Sequence, residues 1–205
     1  MAVSVFAETE RSTGPSPAVA LDMLMKGNGR YAHAKLLHPH QDSKTRHIVA
    51  KAQHPFAAVL SCADSRVPPE LVFDEGLGDL FVVRVAGNVV DDAVLGSLEY
   101  AAEHLHVPVI VVLGHTRCGA VDATIKGGEP NTHIETLAKA IRPAVEVASH
   151  EPGDLLTNSV RENVIMAVKQ LAESKPLLQK MIAEGHLKIV GAIYDLDKGS
   201  IEYLK

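Results

Sequence analysis

Residues 107–119 read Val-Pro-Val-Ile-Val-Val-Leu-Gly-His-Thr-Arg-Cys-Gly, and this stretch decides the fold. Residues 109–113 are four β-branched side chains and a leucine, uncharged and ended by Gly114. Alternating polarity would mark a strand with one wet face. An unbroken apolar run of strand length marks one covered on both faces. Three further runs read the same way, Ala57–Ser61, residues 80–85 and Lys188–Tyr194. Between them lie helical patterns at 92–104, 115–126 and 155–185, the last broken near Pro176. Strands alternating with helices predict an α/β fold, a mainly parallel four-stranded sheet flanked by helices, with right-handed crossovers. The expected strand order is 2-1-3-4. Residues 200–204 follow an Asp-Lys-Gly turn and are expected to fold back as an antiparallel edge strand.

Working outward to the N-terminus, residues 18–34 read as a helix with Leu21, Leu24 and Met25 at helical spacing, weakened by Gly27 and Gly29. Residues 38–54 look polar and irregular. The whole chain, 1–205, reads as one domain in which residues 1–35 form an arm and helix. The 205 residues are 46% hydrophobic and 22% charged, enough apolar material for a core without disulfides. Two cysteines exclude a disulfide scaffold and a four-cysteine zinc ribbon. Twenty Lys+Arg against 25 Asp+Glu, a net charge of -5 and no Trp argue against nucleic acid as a partner. The N-terminal residues lack the basic start and apolar run of a secretory signal, and no apolar stretch approaches the ~20 residues of a membrane span. The expectation is a cytoplasmic protein without membrane partners.

Two clusters carry chemistry. Cys62-Ala63-Asp64-Ser65-Arg66 follows the first strand, and His115-Thr116-Arg117-Cys118-Gly119 follows the third. If those strands are neighbours, both clusters sit at the switch point where open α/β sheets build sites. Cys62 and Asp64 share a side in extended chain. His115 and Cys118 share a face if a helix starts at 115. Two thiolates and an imidazole form a tetrahedral zinc set that leaves a fourth position for water or substrate. Asp64 either accepts a hydrogen bond from the metal-bound water or takes the fourth position itself, while Arg66 holds it ionised. Each residue also has an ordinary reading: buried cysteines are small hydrophobes, Asp64 and Ser65 suit a turn, and Arg66 suits a surface. A cysteine nucleophile in a phosphatase-type loop is a rival reading. The three residues between Cys62 and Arg66 are too few for it, and Asp64 would repel a phosphate.

The paired motifs resemble the β-class carbonic anhydrases. The stretches Gln53-His54-Pro55-Phe56, 79–88 and 96–100 fit the same family. The resemblance implies hydration of CO2 to bicarbonate by zinc-bound hydroxide. It implies one Zn2+ per chain on Cys62, His115 and Cys118, with Asp64 and Arg66 as the catalytic dyad. It also implies a dimer or a multiple of dimers, with the N-terminal helix packing partly on the other subunit. The CO2 pocket is expected from Gln53, Phe81, Ala86 and Tyr100, with Gly119 beside them. Ala86 stands where plant relatives often carry Val, which widens the pocket. A regulated subclass binds a second bicarbonate through a Trp, an Arg and a Tyr; a chain without Trp cannot form that site. Two alternatives stay open: the same site acting on COS or CS2, and a closed, non-catalytic structural zinc module.

Overall fold

The computed structural model describes residues 14–204. Five strands form one sheet: β1 (Ala57–Ser61), β2 (Leu80–Arg84), β3 (Val109–His115), β4 (Lys188–Tyr194) and β5 (Ile201–Tyr203). Their order is β2-β1-β3-β4-β5. The first four are parallel, and β5 is antiparallel to β4, as expected. The central strands β1 and β3 are buried along their whole length. Expected to be equally buried, β2 is instead half-buried with Arg84 exposed, because among the described residues it is an edge with a strand neighbour on one side only.

The eight helices are α1 (Pro17–Ala32), α2 (Ser43–Val49), α3 (Pro69–Val72), α4 (Asp92–Glu103), α5 (Gly119–Ile125), α6 (Ile134–Ala148), α7 (Leu155–Ala172) and α8 (Leu177–Ala183) among the described residues. Strand alternation sorts the core into two layers. Ala58, Leu60, Ile110 and Val112 pack with Leu98 of α4, Val164 and Leu171 of α7 and Leu178 of α8. Ala57, Val59, Val111 and Leu113 face the other way, against Ala20 and Leu24 of α1 and Val72 of α3. No helix among the described residues is long and apolar enough to cross a membrane.

The structure corrects several sequence expectations. His115 is the last residue of β3, and α5 begins only at Gly119, with Cys118 at its N-cap. Arg117 adopts the left-handed region, φ 54°, and that turn prevents a helix from starting at 115. The supposedly irregular 38–54 segment contains α2, capped by Asp42, whose carboxylate accepts from Thr45 N at 2.7 Å. Neither α3 nor α6 was anticipated. Within α6, Pro143 hid a buried stripe of Ala138, Ile141, Ala144 and Ala148.

Gly27 does not break α1. A Cβ there would lie 1.8 Å from the Phe73 carbonyl oxygen, so the missing side chain lets α1 dock beside α3. At the next position, buried Asn28 donates to Val72 O and Gly199 O, both at 2.9 Å, and accepts from Ile201 N at 2.8 Å. These bonds tie α1 to its own chain, while Val19, Met23 and Met25 remain exposed on its outer side. The first 13 residues of the expected arm lie outside the described residues.

Candidate metal centre

β1 and β3 are adjacent, so the segments leaving their C-terminal ends meet. Cys62, His115 and Cys118 bring one donor atom each to within 4.8 Å of one another. They are 3%, 0% and 1% exposed. His115 Nδ1 lies 3.0 Å from the Thr116 carbonyl, which can only accept. The Nδ1 proton is therefore fixed, and Nε2 is left with its lone pair free. That Nε2 is buried without a hydrogen-bond partner, an arrangement that a metal ligand explains. Two thiolates ~2.3 Å from one tetrahedral zinc stand ~3.8 Å apart. The Cys62 and Cys118 Sγ atoms are 4.0 Å apart. Donor type, spacing and the orphaned nitrogen all fit zinc.

Cys62 is prepared as a thiolate. The neighbouring Cys118 thiol, 4.0 Å away, lowers the Cys62 pKa against the opposing effect of burial, helped by His115 and by the amides of Gly87 at 3.2 Å and Asp64 at 3.4 Å. The same contact, together with burial, pushes Cys118 upward. Gly87 reaches the sulfur from a short 3-10 turn at Ala86–Asn88, at φ 71°. A Cβ there would meet Ile141 Cδ1 at 2.7 Å. Its carbonyl accepts from the buried Asn163 Nδ2 of α7 at 2.8 Å, which pins the peptide.

Asp64 and Arg66 form a two-pronged pair, with Arg66 Nε on Oδ1 at 2.9 Å and Nη2 on Oδ2 at 2.7 Å. Arg66 N also donates to Oδ1 at 2.9 Å. These bonds hold the Asp64 carboxyl well below the usual carboxylate range. Asp64 Oδ2 lies 3.8 Å from His115 Nε2, so the dyad borders the donor cluster. A carboxylate has about four acceptor sites. Oδ1 takes two N–H groups and Oδ2 one, which leaves an acceptor site on the oxygen nearest His115.

The substrate-pocket candidates are more dispersed. Gln53 and Tyr100 line one open groove with Val49, Leu77 and Leu105, and none of the metal donors lines it. Phe81 on β2 is half-buried, its ring 6.1 Å from that of Tyr100. Ala86 sits half-buried in the 3-10 turn, and Gly119 is exposed at the start of α5. Sequence reasoning missed Arg84, Asn163 and Asp197. Arg84 donates to the carbonyls of Cys62 and Asp64. Asp197 binds Arg117 of the ligand turn through two bonds, at 2.6 and 2.9 Å. Arg84 carried a signal, a charge closing an apolar strand; Asn163 was legible only as a polar residue on a buried helical stripe.

A family model for carbonic anhydrase matches residues 57–201. Carbonic anhydrase 2 of Mycobacterium tuberculosis is 40% identical over 188 residues, covering 90% of this chain and 91% of the relative. The solved structure of the β-carbonic anhydrase CcaA superposes with a TM-score of 0.72 at 27% identity, covering 90% of this chain and 95% of that one. One of two tetrameric β-carbonic anhydrases from Sordaria macrospora gives 0.71 at 26%, covering 91% and 97%. Sequence and fold agree over nearly the full length: the chain belongs to the carbonic anhydrases, in their β class.

Proposed function

We propose that the protein catalyses the reversible hydration of CO2 to bicarbonate and a proton, with one zinc ion held by Cys62, His115 and Cys118. The observation that carries this reading is the buried donor cluster with the unpartnered His115 Nε2, bordered at 3.8 Å by the Asp64 carboxylate. Zinc bound there would lower the pKa of a coordinated water from 15.7 toward ~7. Two thiolate ligands cancel the ion's formal charge, so the chain's own groups must assist. Asp64, ionised by Arg66, can only accept a hydrogen bond. Its remaining acceptor site on Oδ2 would accept a hydrogen bond from the water or hydroxide held beside it, without taking the proton, and so would turn that oxygen's lone pair toward CO2. With its carboxylate directed to Arg66, Asp64 also leaves the fourth metal position to water, which supports catalysis over a closed structural module.

We further infer that Gln53, Phe81, Ala86, Tyr100 and Gly119 line the CO2 pocket when two chains associate. Among the described residues of one chain the β2 edge beside Phe81 has no strand partner, and Leu77 and Tyr100 are 45% and 46% exposed. An unpaired strand edge with apolar neighbours is a template for a second chain. The outer side of α1 is a second surface for it, and the Sordaria relatives are tetrameric. The direct test is stopped-flow CO2 hydration with COS and CS2 as competitors: CO2 is expected to be the preferred substrate, and turnover confined to COS or CS2 would reassign the reaction.

A further inference from the structure

Asp64 sits on a turn that the sheet itself does not hold. β1 ends at Ser61, and its ladder to β2 runs out with Val85 N on Ser61 O at 3.1 Å and Ala63 N on Val85 O at 3.3 Å. Beyond that point the backbone carries the Cys62 thiolate and the Asp64 carboxylate in three successive residues. A side chain takes over where the ladder stops. Arg84, paired in register with Ser61, sends Nε to Cys62 O at 3.1 Å and Nη2 to Asp64 O at 2.6 Å. Among the described residues Arg84 forms no ion pair with a carboxylate; its partners are these two carbonyls.

We propose that Arg84 is a positioning residue for the hydration reaction, a planar fork that fixes the spacing between the Cys62 sulfur and the Asp64 carboxylate. The guanidinium carries its donors in one rigid plane, so holding both carbonyls sets the path of the chain between them. Two other bonds complete the turn: Val67 N donates to Asp64 O at 3.1 Å, and Asp64 N donates to Cys62 Sγ at 3.4 Å. With Arg84 removed, Asp64 O keeps only the bond from Val67 N, which lies on the far side of the turn. The carboxylate then loses its fixed place relative to His115 Nε2, although Arg66 still pairs with it. A displacement of ~1 Å in a group that orients a reactant costs up to about 100-fold in rate.

This inference rests on the hydration reading, and the experiment separates the two. Arg84→Met keeps the apolar stem and removes the fork; Arg84→Lys keeps a charged donor. Hydrogen–deuterium exchange on zinc-free and zinc-loaded protein reads the turn directly. In Arg84→Met the amides of residues 63–67 should exchange at least about tenfold faster, with those of β3 and α7 unchanged. For CO2 hydration, kcat/KM should fall about tenfold in Arg84→Met and about threefold in Arg84→Lys, with zinc still at one per chain. On an Asp64→Asn background, Arg84→Met should cost less than about twofold more, because it acts through Asp64. Unchanged exchange at 63–67, zinc lost in step with activity, or a full multiplicative loss in the double variant would overturn the proposal. If the wild-type protein hydrates no CO2, the hydration reading fails, and the exchange measurement still decides whether Arg84 holds the turn.

Discussion

Asp64 has one acceptor site left after Arg66 has taken three, and the mechanism depends on where that site points. Asp64→Asn replaces an acceptor-only group with one that also donates, and CO2 hydration should fall about 10- to 100-fold. Arg66→Ala should lose a similar factor, since the carboxylate is then no longer oriented by its two-pronged pair. If the pair acts as a unit, the double variant should lose far less than the product of the single losses in stopped-flow assays. A fully multiplicative loss would mean that the two residues act separately. These residues were legible in the sequence because their chemistry lies in residue type and short spacing. Arg84 showed only as a charge closing an apolar strand, and its role was not legible, because that role depends on the β1–β2 register that puts it opposite Ser61.

α1 shows how a local rule yields to packing. Gly→Ala inside a helix ordinarily gains about 1 kcal/mol. At Gly27 the new Cβ would stand 1.8 Å from a backbone oxygen, which cannot move aside cheaply. Gly27→Ala should therefore destabilise the protein by about 1–3 kcal/mol in denaturant titrations, the opposite sign from the propensity expectation. Beside it, burial raises the Glu75 carboxyl from 4.5 to about 7, with Asp79 and Asp74 adding to the shift and Arg30 opposing it. A carboxyl raised in the folded state binds its proton more tightly there than in the unfolded chain. Its contribution is thus full below about pH 4.5 and lost as pH rises toward 7. Glu75→Gln should raise the Tm at pH 8 by about 2–6 °C and leave it nearly unchanged at pH 4.5. A lower Tm at pH 8 would show that Arg30 stabilises the charged form after all. The strands were legible as β-branched runs, whereas α3 is a single turn and α6 carries an internal proline. α2 lacks any buried residue, so no apolar stripe marked it.

At the scale of the whole molecule, the sheet order and the antiparallel β5 followed from the sequence, but the exposure of β2 did not. Burial of an edge depends on what lies beyond the chain. If a second subunit covers it, light scattering at micromolar concentration should give the mass of a dimer or a multiple of one, and Phe81→Asp should shift the protein toward monomer with loss of hydration. A monomeric wild-type protein would remove the expected intersubunit pocket. The central claim is that the Cys62, His115 and Cys118 cluster holds the one zinc on which CO2 hydration depends. Its most direct test is to add zinc stepwise to metal-free protein while following CO2 hydration between pH 6.5 and 9. The account predicts negligible hydration without zinc and a rate that rises linearly to a plateau at about one zinc per chain. Hydration by the metal-free protein, or one tightly bound zinc per chain with no hydration anywhere in that pH range, would contradict it.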